Sequence, residues 1–264
     1  MLLAVEIDNT EIGFGLFEND LLLQSFCIAA DLKKTSHEYA ATVDGLFRFY
    51  GISCNHLDGA ILSSVVPQLT DVLIKVVKEL TDTDPMVVGK GIKTGFPIKI
   101  DHPTELGADL VANAAAALNL LKTENKKKTP CVIIDMGTAT TIFALNGAGE
   151  YIGGSILPGV GISLEALHGK TALLPTVSPA SPVRAIGKNS QESVRSGVLL
   201  GHAMMVDGFI ERFTKEMGCK ECPELVVTGE YAEAVVPFCS HPLRYIPKLT
   251  LYGLACIYRN NLSV

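Results

Sequence analysis

The chain has 264 residues, 48% of them hydrophobic, with 24 Gly, 13 Pro and seven Cys. That length fills one large domain or two ordinary ones with well-packed cores. A net charge of −6 argues against a nucleic-acid-binding surface, which needs clustered cations, and no segment reaches the ~18 consecutive apolar residues of a membrane-spanning helix.

In chain order, a β-hairpin is expected over residues 2–8 and 12–18, where two apolar runs flank a polar turn. Glu6 and Asp8 interrupt the first run, so no signal peptide is expected there. A third strand follows at Leu21–Ala29. Tyr39, Val43, Leu46, Phe47 and Tyr50 recur at helical spacing and predict a helix over His37–Tyr50. Asp58–Val65 reads as a buried strand ending in a Ser63-Ser64 turn. Pro67 then opens a helix with Leu69, Val72, Leu73, Val76, Val77 and Leu80 on its apolar face. Met86–Val88 is a short strand. Gly107–Leu121 predicts a helix whose stretch Ala112–Ala117 lacks bulk, so some neighbour must approach it closely. Lys126-Lys-Lys128 lies in the polar stretch 123–130, read as a solvated linker.

The second half repeats the plan. A hairpin is expected over 131–146 and a strand over Tyr151–Ile156. Helices follow around Ser163–Leu167, Ser190–Lys215 and Tyr231–Val236. The strand Leu225–Thr228 ends at Gly229, and Leu249–Asn260 forms a closing helix. Gly153–Gly161 reads as a glycine-dense loop, too irregular for a Walker or dinucleotide fingerprint. Cys219-Lys-Glu-Cys222 is a lone CxxC, so no zinc site is expected. The odd, irregularly spaced cysteines fit a reducing compartment, and a cytoplasmic location is expected. Strands followed by helices in each half predict an α/β fold with mixed sheets, in domains 1–122 and 131–264.

The two hairpins are built alike. Glu6-Ile-Asp-Asn-Thr10 and Asp135-Met-Gly-Thr138 each end an apolar strand in an acid and a turn of small polar residues. Such turns aim backbone N–H groups and hydroxyls at one spot, and the adjoining acid can hold a metal ion. Two copies predict a duplicated domain that grips a nucleotide. Asp135 ends the most apolar strand, where a carboxylate needs a cation or several donors; it reads either as a turn cap or as a cation ligand. Thr138, Thr140 and Thr141 supply hydroxyls, and Gly137 permits close approach of a phosphate. Asp109, in the first turn of its helix, reads either as a structural cap or as an acceptor of a hydroxyl proton.

These residues resemble the type III pantothenate kinases of the actin-like sugar-kinase superfamily. The resemblance runs through Glu6-Ile-Asp-Asn-Thr10, Ser63-Ser-Val-Val-Pro67, Gly95-Phe-Pro97, Asp101-His-Pro103, Gly107-Ala-Asp109 and Asp135-Met-Gly-Thr-Ala-Thr-Thr141. It continues in Pro158-Gly159, Gly187-Lys-Asn-Ser190, Thr228-Gly229 and Leu249-Thr-Leu-Tyr-Gly-Leu254. It implies duplicated actin-like (ribonuclease H-like) domains and transfer of the ATP γ-phosphoryl group to pantothenate, the first step of coenzyme A biosynthesis. It makes Asp109 the proton acceptor and Asp135 the ligand of a monovalent cation, K+ or NH4+. Glu6, Ile7, Asp8, Asn9, Thr10, Glu11, Ile12 and Gly13 would form the first phosphate loop with Mg2+, and Thr138 would touch the phosphates. Ile100, Gly107, Ala108, Asp109, Leu110 and Ser190 would line the pantothenate pocket. A homodimer is also implied, with the small-residue helix near the interface.

Four positions depart from the family pattern. Glu6 stands for the usual Asp, Asp8 for Gly, Ile100 for Tyr and Leu110 for Arg. Asp8 beside polyphosphate would be repelled by about 4 kcal/mol at ~4 Å and an effective dielectric of ~20. Leu110 cannot pair with a substrate carboxylate. These departures support two other readings: a catalytically weak, nucleotide-binding or regulatory paralogue, and a kinase for a less anionic pantothenate-like alcohol.

Overall fold

The computed structural model describes residues 1–126, 129–179 and 183–262. The chain divides into two compact units, one of Met1–Phe96, Asp101–Leu120 and the C-terminal helix, the other of Pro97–Ile100 and Leu121–Lys248.

The first unit holds a five-stranded sheet in the order β3-β2-β1-β4-β5. β1 (Leu2–Ile7) pairs antiparallel with β2 (Glu11–Glu18), which pairs antiparallel with β3 (Leu21–Ala29). On its other side β1 runs parallel to β4 (Gly59–Ser64), itself parallel to β5 (Met86–Val87). Alternation sends Leu3, Val5, Ile7, Ala60 and Leu62 into one core with Tyr39, Val43 and Phe47 of α1 (Ser36–Phe49) and Leu69, Leu73 and Val76 of α2 (Pro67–Thr81). Thr35 and Glu38 form a capping box that starts α1. Both Ser63 and Ser64 lie inside β4, so the expected turn begins one residue later.

The opposite face of this sheet receives α7 (Leu249–Leu262): Leu251 lies against Gly15, and Phe17 meets Tyr252 edge-on at 5.5 Å. The neighbour demanded by the alanine stretch of α3 (Ala108–Thr123) is this same helix. A Cβ at Gly253 would overlap the Ala112 carbonyl, and Thr250 Oγ1 donates to the buried Asn113 Oδ1 at 3.0 Å. Ala112 and Ala114–Ala117 are all buried here. The small residues therefore serve a helix crossing within the unit and need no partner subunit to explain them. The crossing also places α7 with the first unit, whereas the sequence-based boundary at 131–264 assigned it to the second.

The second unit holds β6 (Cys131–Met136), β7 (Ala139–Leu145), β8 (Tyr151–Pro158), β9 (Glu224–Thr228) and the short β10 (Arg244–Tyr245), ordered β10-β9-β6-β7-β8. The order and directions repeat those of the first sheet. Val132, Ile134, Met136, Ile142, Leu225 and Val227 form the core beneath α4 (Val160–Lys170), α5 (Ser190–Glu216) and α6 (Ala232–Val235). Most of the expected glycine loop belongs to β8, because Gly154 lies flat on the Ile142–Phe143 backbone of β7. β10 carries too few residues to show periodicity and was not expected. The polar stretch after α3 is pinned by charge: Lys126 Nζ reaches Glu224 at 2.8 Å, and Arg244 binds Glu124 at 2.6 Å. The rest of the basic cluster, Lys127 and Lys128, lies outside the described residues.

Candidate active site

The first turn joins β1 to β2 through Asp8, Asn9 and Thr10. Asp8 N–H donates to the Glu11 carbonyl at 2.9 Å, and Asp8 Oδ1 accepts from Asn9 N at 2.7 Å and from Asn9 Nδ2 at 3.2 Å. The Asp8–Glu11 backbone bond closes the turn, and the Asp8 carboxylate holds Asn9 within it. Asn9 and Thr10 are exposed, and Glu6 is half-buried on the face opposite the α1/α2 core. Ile7 and Ile12 face that core, so of the expected loop Glu6–Gly13 these two offer only backbone.

Asp109 sits in the first turn of α3, of which Gly107 caps the start by accepting from Val111 N at 3.1 Å. The carboxylate folds back so tightly that a Cβ at Gly107 would overlap its Oδ1. Oδ1 is buried and has no hydrogen-bond partner. Burial pushes the Asp109 carboxyl above its ordinary value; the Leu110 and Asp109 N–H groups oppose this, and the charge of Asp8 adds to the rise. A carboxylate so placed is a stronger base than a solvated one and has a lone pair to spare. Gly107 and Ala108 flank it half-buried, while Leu110 is turned into the interior.

The second turn joins β6 to β7 at Gly137 and Thr138. Asp135 is in register with Thr141 on one side and with Thr228 of β9 on the other, which brings an acid and two hydroxyl residues to one face. Thr140 and Thr141 each have a buried Oγ1 without a partner. Two glycines enclose the turn. Gly159, at the N-terminus of α4, lies against the Gly137 and Thr138 carbonyls, where any Cβ would overlap them. Gly229, with φ +102°, lies on the Met136 backbone, a conformation and a closeness that only glycine allows. Tyr231 N–H then donates to the Met136 carbonyl at 3.0 Å. His202 of α5 holds the other side, with Nε2 3.0 Å from the Pro158 carbonyl and Nδ1 2.8 Å from that of Val198.

Ile100 is half-buried, its Cγ2 against Gly153 of β8. Ser190 opens α5, where Asn189 caps the helix by accepting from Glu192 N at 2.9 Å. Ser190 also lines a cavity of about 550 Å3 with Leu167, Leu174, Gly187 and Val194. Within the first unit, Asp8 and Asp109 come close enough to interact. Within the second, Asp135, Thr138 and Thr141 gather at one turn. Gly159, Gly229 and Ser63 stood in the sequence only as motif residues of the resemblance, with no role in the site; the enclosure of the turn and the unpartnered Ser63 hydroxyl of β4 add one. Strand parity carried the Ser63 signal, since it falls on the face of Glu6.

Comparison with known proteins agrees with the fold and specifies a family. The model of a family described as type III pantothenate kinase matches residues 2–212. A type III pantothenate kinase of Moorella thermoacetica is 38% identical over 261 residues, covering 99% of this chain and 100% of the relative. Among solved structures, a putative Baf family transcriptional activator from Campylobacter jejuni superposes with a TM-score of 0.62 at 17% identity, covering 99% of this chain and 100% of that one. A putative 2-dehydro-3-deoxygalactonokinase from Sinorhizobium meliloti gives 0.58 at 11% identity, covering 100% and 98%. The fold is the duplicated actin-like α/β fold.

Proposed function

The chain belongs to the type III pantothenate kinase family, and from that premise we propose that it phosphorylates pantothenate with ATP, giving 4′-phosphopantothenate and ADP in coenzyme A biosynthesis. Asp109 carries the reading. Its buried, unpartnered Oδ1 and raised basicity suit a base that takes the proton of the pantothenate primary hydroxyl while the oxygen attacks the γ-phosphorus and ADP leaves. The Gly137-Thr138 turn, with its enclosed backbone and small side chains, would receive the nucleotide phosphates. Gly107, Ala108, Ile100 and Ser190 would contact pantothenate, whereas Leu110, expected in the same pocket, is turned into the interior and would offer it only backbone.

The donors present fit the cations this chemistry uses. Mg2+ takes oxygen ligands, commonly one or two carboxylates with the rest from phosphates and water; Glu6 and Asp8 would hold it beside the first loop, Asn9 to Gly13. Asp135, with the unpartnered Thr141 hydroxyl in register, would hold a monovalent cation, K+ or NH4+. These cations offset phosphate charge, including the charge that Asp8 adds. No comparison favours the weak-paralogue reading or the less anionic acceptor.

The same proposal includes a homodimer. Ile156 on the edge strand β8 is 75% exposed and Met204 on α5 71%, and both would be covered by a second copy. Among the described residues, no helix is long and apolar enough to cross a membrane.

The test is direct. Purified protein with ATP, Mg2+, K+ and pantothenate is expected to release ADP coupled to formation of 4′-phosphopantothenate, identified by mass. ADP release without a phosphorylated acceptor would overturn the assignment.

A further inference from the structure

β4 lies beside β1 in parallel register, which sets Ser63 opposite Glu6. Register partners in neighbouring strands point to the same face. Ser63 and Glu6 therefore rise together at the carboxyl ends of their strands, on the face opposite the α1/α2 core. Ser63 is 1% exposed, and its Oγ has no hydrogen-bond partner. Its neighbour Ser64 is fully used. Ser64 Oγ accepts from Val66 N at 3.1 Å and from Thr70 Oγ1 at 2.8 Å, and so ties the end of β4 to the first turn of α2.

Two adjacent serines thus have opposite fates. One is bonded to Val66 and Thr70 at the start of α2; the other keeps a buried hydroxyl that the fold does not use. An unpaired buried hydroxyl destabilises a protein, and alanine would occupy the same place without that penalty. What the hydroxyl lacks is a partner, and the side chain beside it is a carboxylate at the phosphate-loop end of β1. Divalent cations such as Mg2+ retain several waters when bound through few carboxylates, and those waters need protein acceptors or donors to be held in place. A serine hydroxyl can serve as either.

We propose that Ser63 is a positioning residue for the divalent cation that accompanies the nucleotide: its hydroxyl holds a water of the cation's shell, which the Glu6 carboxylate engages from the neighbouring strand. This rests on the kinase reading above and adds to it a residue that reading does not use. The second sheet has the same juxtaposition, with Thr228 in register with Asp135. An acid paired across parallel strands with a hydroxyl residue is thus a repeated element of the fold.

The experiment titrates Mn2+ into protein saturated with a non-hydrolysable ATP analogue and reads bound metal by electron paramagnetic resonance. Ser63→Ala is expected to weaken Mn2+ binding about 5- to 20-fold, the worth of one water-mediated hydrogen bond. Its melting temperature should equal or exceed that of the unsubstituted protein, which a structural role for the hydroxyl would not permit. In turnover, the Mg2+ activation constant should rise by more than kcat falls. Ser63→Cys, close in size and a poor hydrogen-bonding group, should behave the same way and serves if the alanine variant fails to fold. Unchanged Mn2+ affinity in the folded variants overturns the inference, as does weakened binding that only tracks lost stability. If the unsubstituted protein forms no phosphorylated product, the kinase reading falls, and the Mn2+ titration still decides this one.

Discussion

β1–β2 and β6–β7 occupy matching positions in their sheets, each first strand flanked by an antiparallel partner and a parallel one. Their turns have diverged. Where the second has Gly137, enclosed by Gly159 and Gly229, the first has Asp8, whose carboxylate holds Asn9 in an open and largely exposed turn. A glycine turn walled by glycines can bring backbone N–H groups to a phosphate unaided. An acidic turn can do so only with a cation between them. Under the kinase reading, the same topology would offer one turn that takes phosphate on its backbone, with Asp135 holding a monovalent cation beside it, and another that reaches phosphate through a divalent metal.

Asp109 gives the sharpest break. Asp109→Asn is expected to lower kcat by about 100- to 10,000-fold with little change in nucleotide affinity, as removal of a general base does. The substitution should also stabilise the protein. The folded-state carboxyl titrates above its unfolded value, so its contribution to stability is full below the unfolded range and is lost as pH rises through the folded value. Asparagine removes that loss, and the melting temperature near neutral pH should rise by roughly 2–5 °C. Full turnover by the variant would discard the base assignment.

The enclosed turn is tested next through its acid. Asp135→Asn should abolish the advantage of K+ or NH4+ over Na+, at a rate about 10- to 100-fold below that of the unsubstituted protein in K+. Equal rates in K+ and Na+ before any substitution would refute the role given to Asp135.

Asp8→Gly has the smallest expected effect, and it converts the first turn to the chemistry of the second. Losing the Asp8 charge lowers the Asp109 carboxyl toward its ordinary value, so the acid limb of kcat/KM should move to lower pH. The KM for ATP at limiting Mg2+ should rise by about 3- to 10-fold, because a carboxylate that holds the metal is lost, and an unchanged or lower KM would remove Asp8 from the cation site. A pH profile that stays fixed would separate Asp8 from Asp109 altogether.

Most of the fold was legible because its signals are local. Leu69, Leu73 and Val76 repeat at helical spacing, and the apolar runs of both hairpins are short, nearly continuous and bounded by polar turns. Proline and serine mark the start of α2 within a residue. Glu6 and Asp135 stood out for the same reason, as acids at the ends of apolar strands, whereas Asp109, in the first turn of α3, read equally as a helix cap until the family resemblance gave it a role. What escaped depends on contacts far apart in sequence. Nothing near Gly253 says that Ala112 will lie against it, and nothing near Gly229 says that Met136 will. Ser63 looked like Ser64 because the two differ only in which side of a strand they face.

The crossing of Gly253 on Ala112 bears on how the protein is made. The first unit collects strands from the beginning of the chain and its last helix from the end, while most of the second is one continuous stretch, Leu121–Lys248. On a ribosome the later stretch can mature as soon as it emerges. The sheet translated earliest must wait, one face bare, until α7 arrives. That exposed interval is when a chaperone would be most needed, and it would persist for most of the time that translation takes.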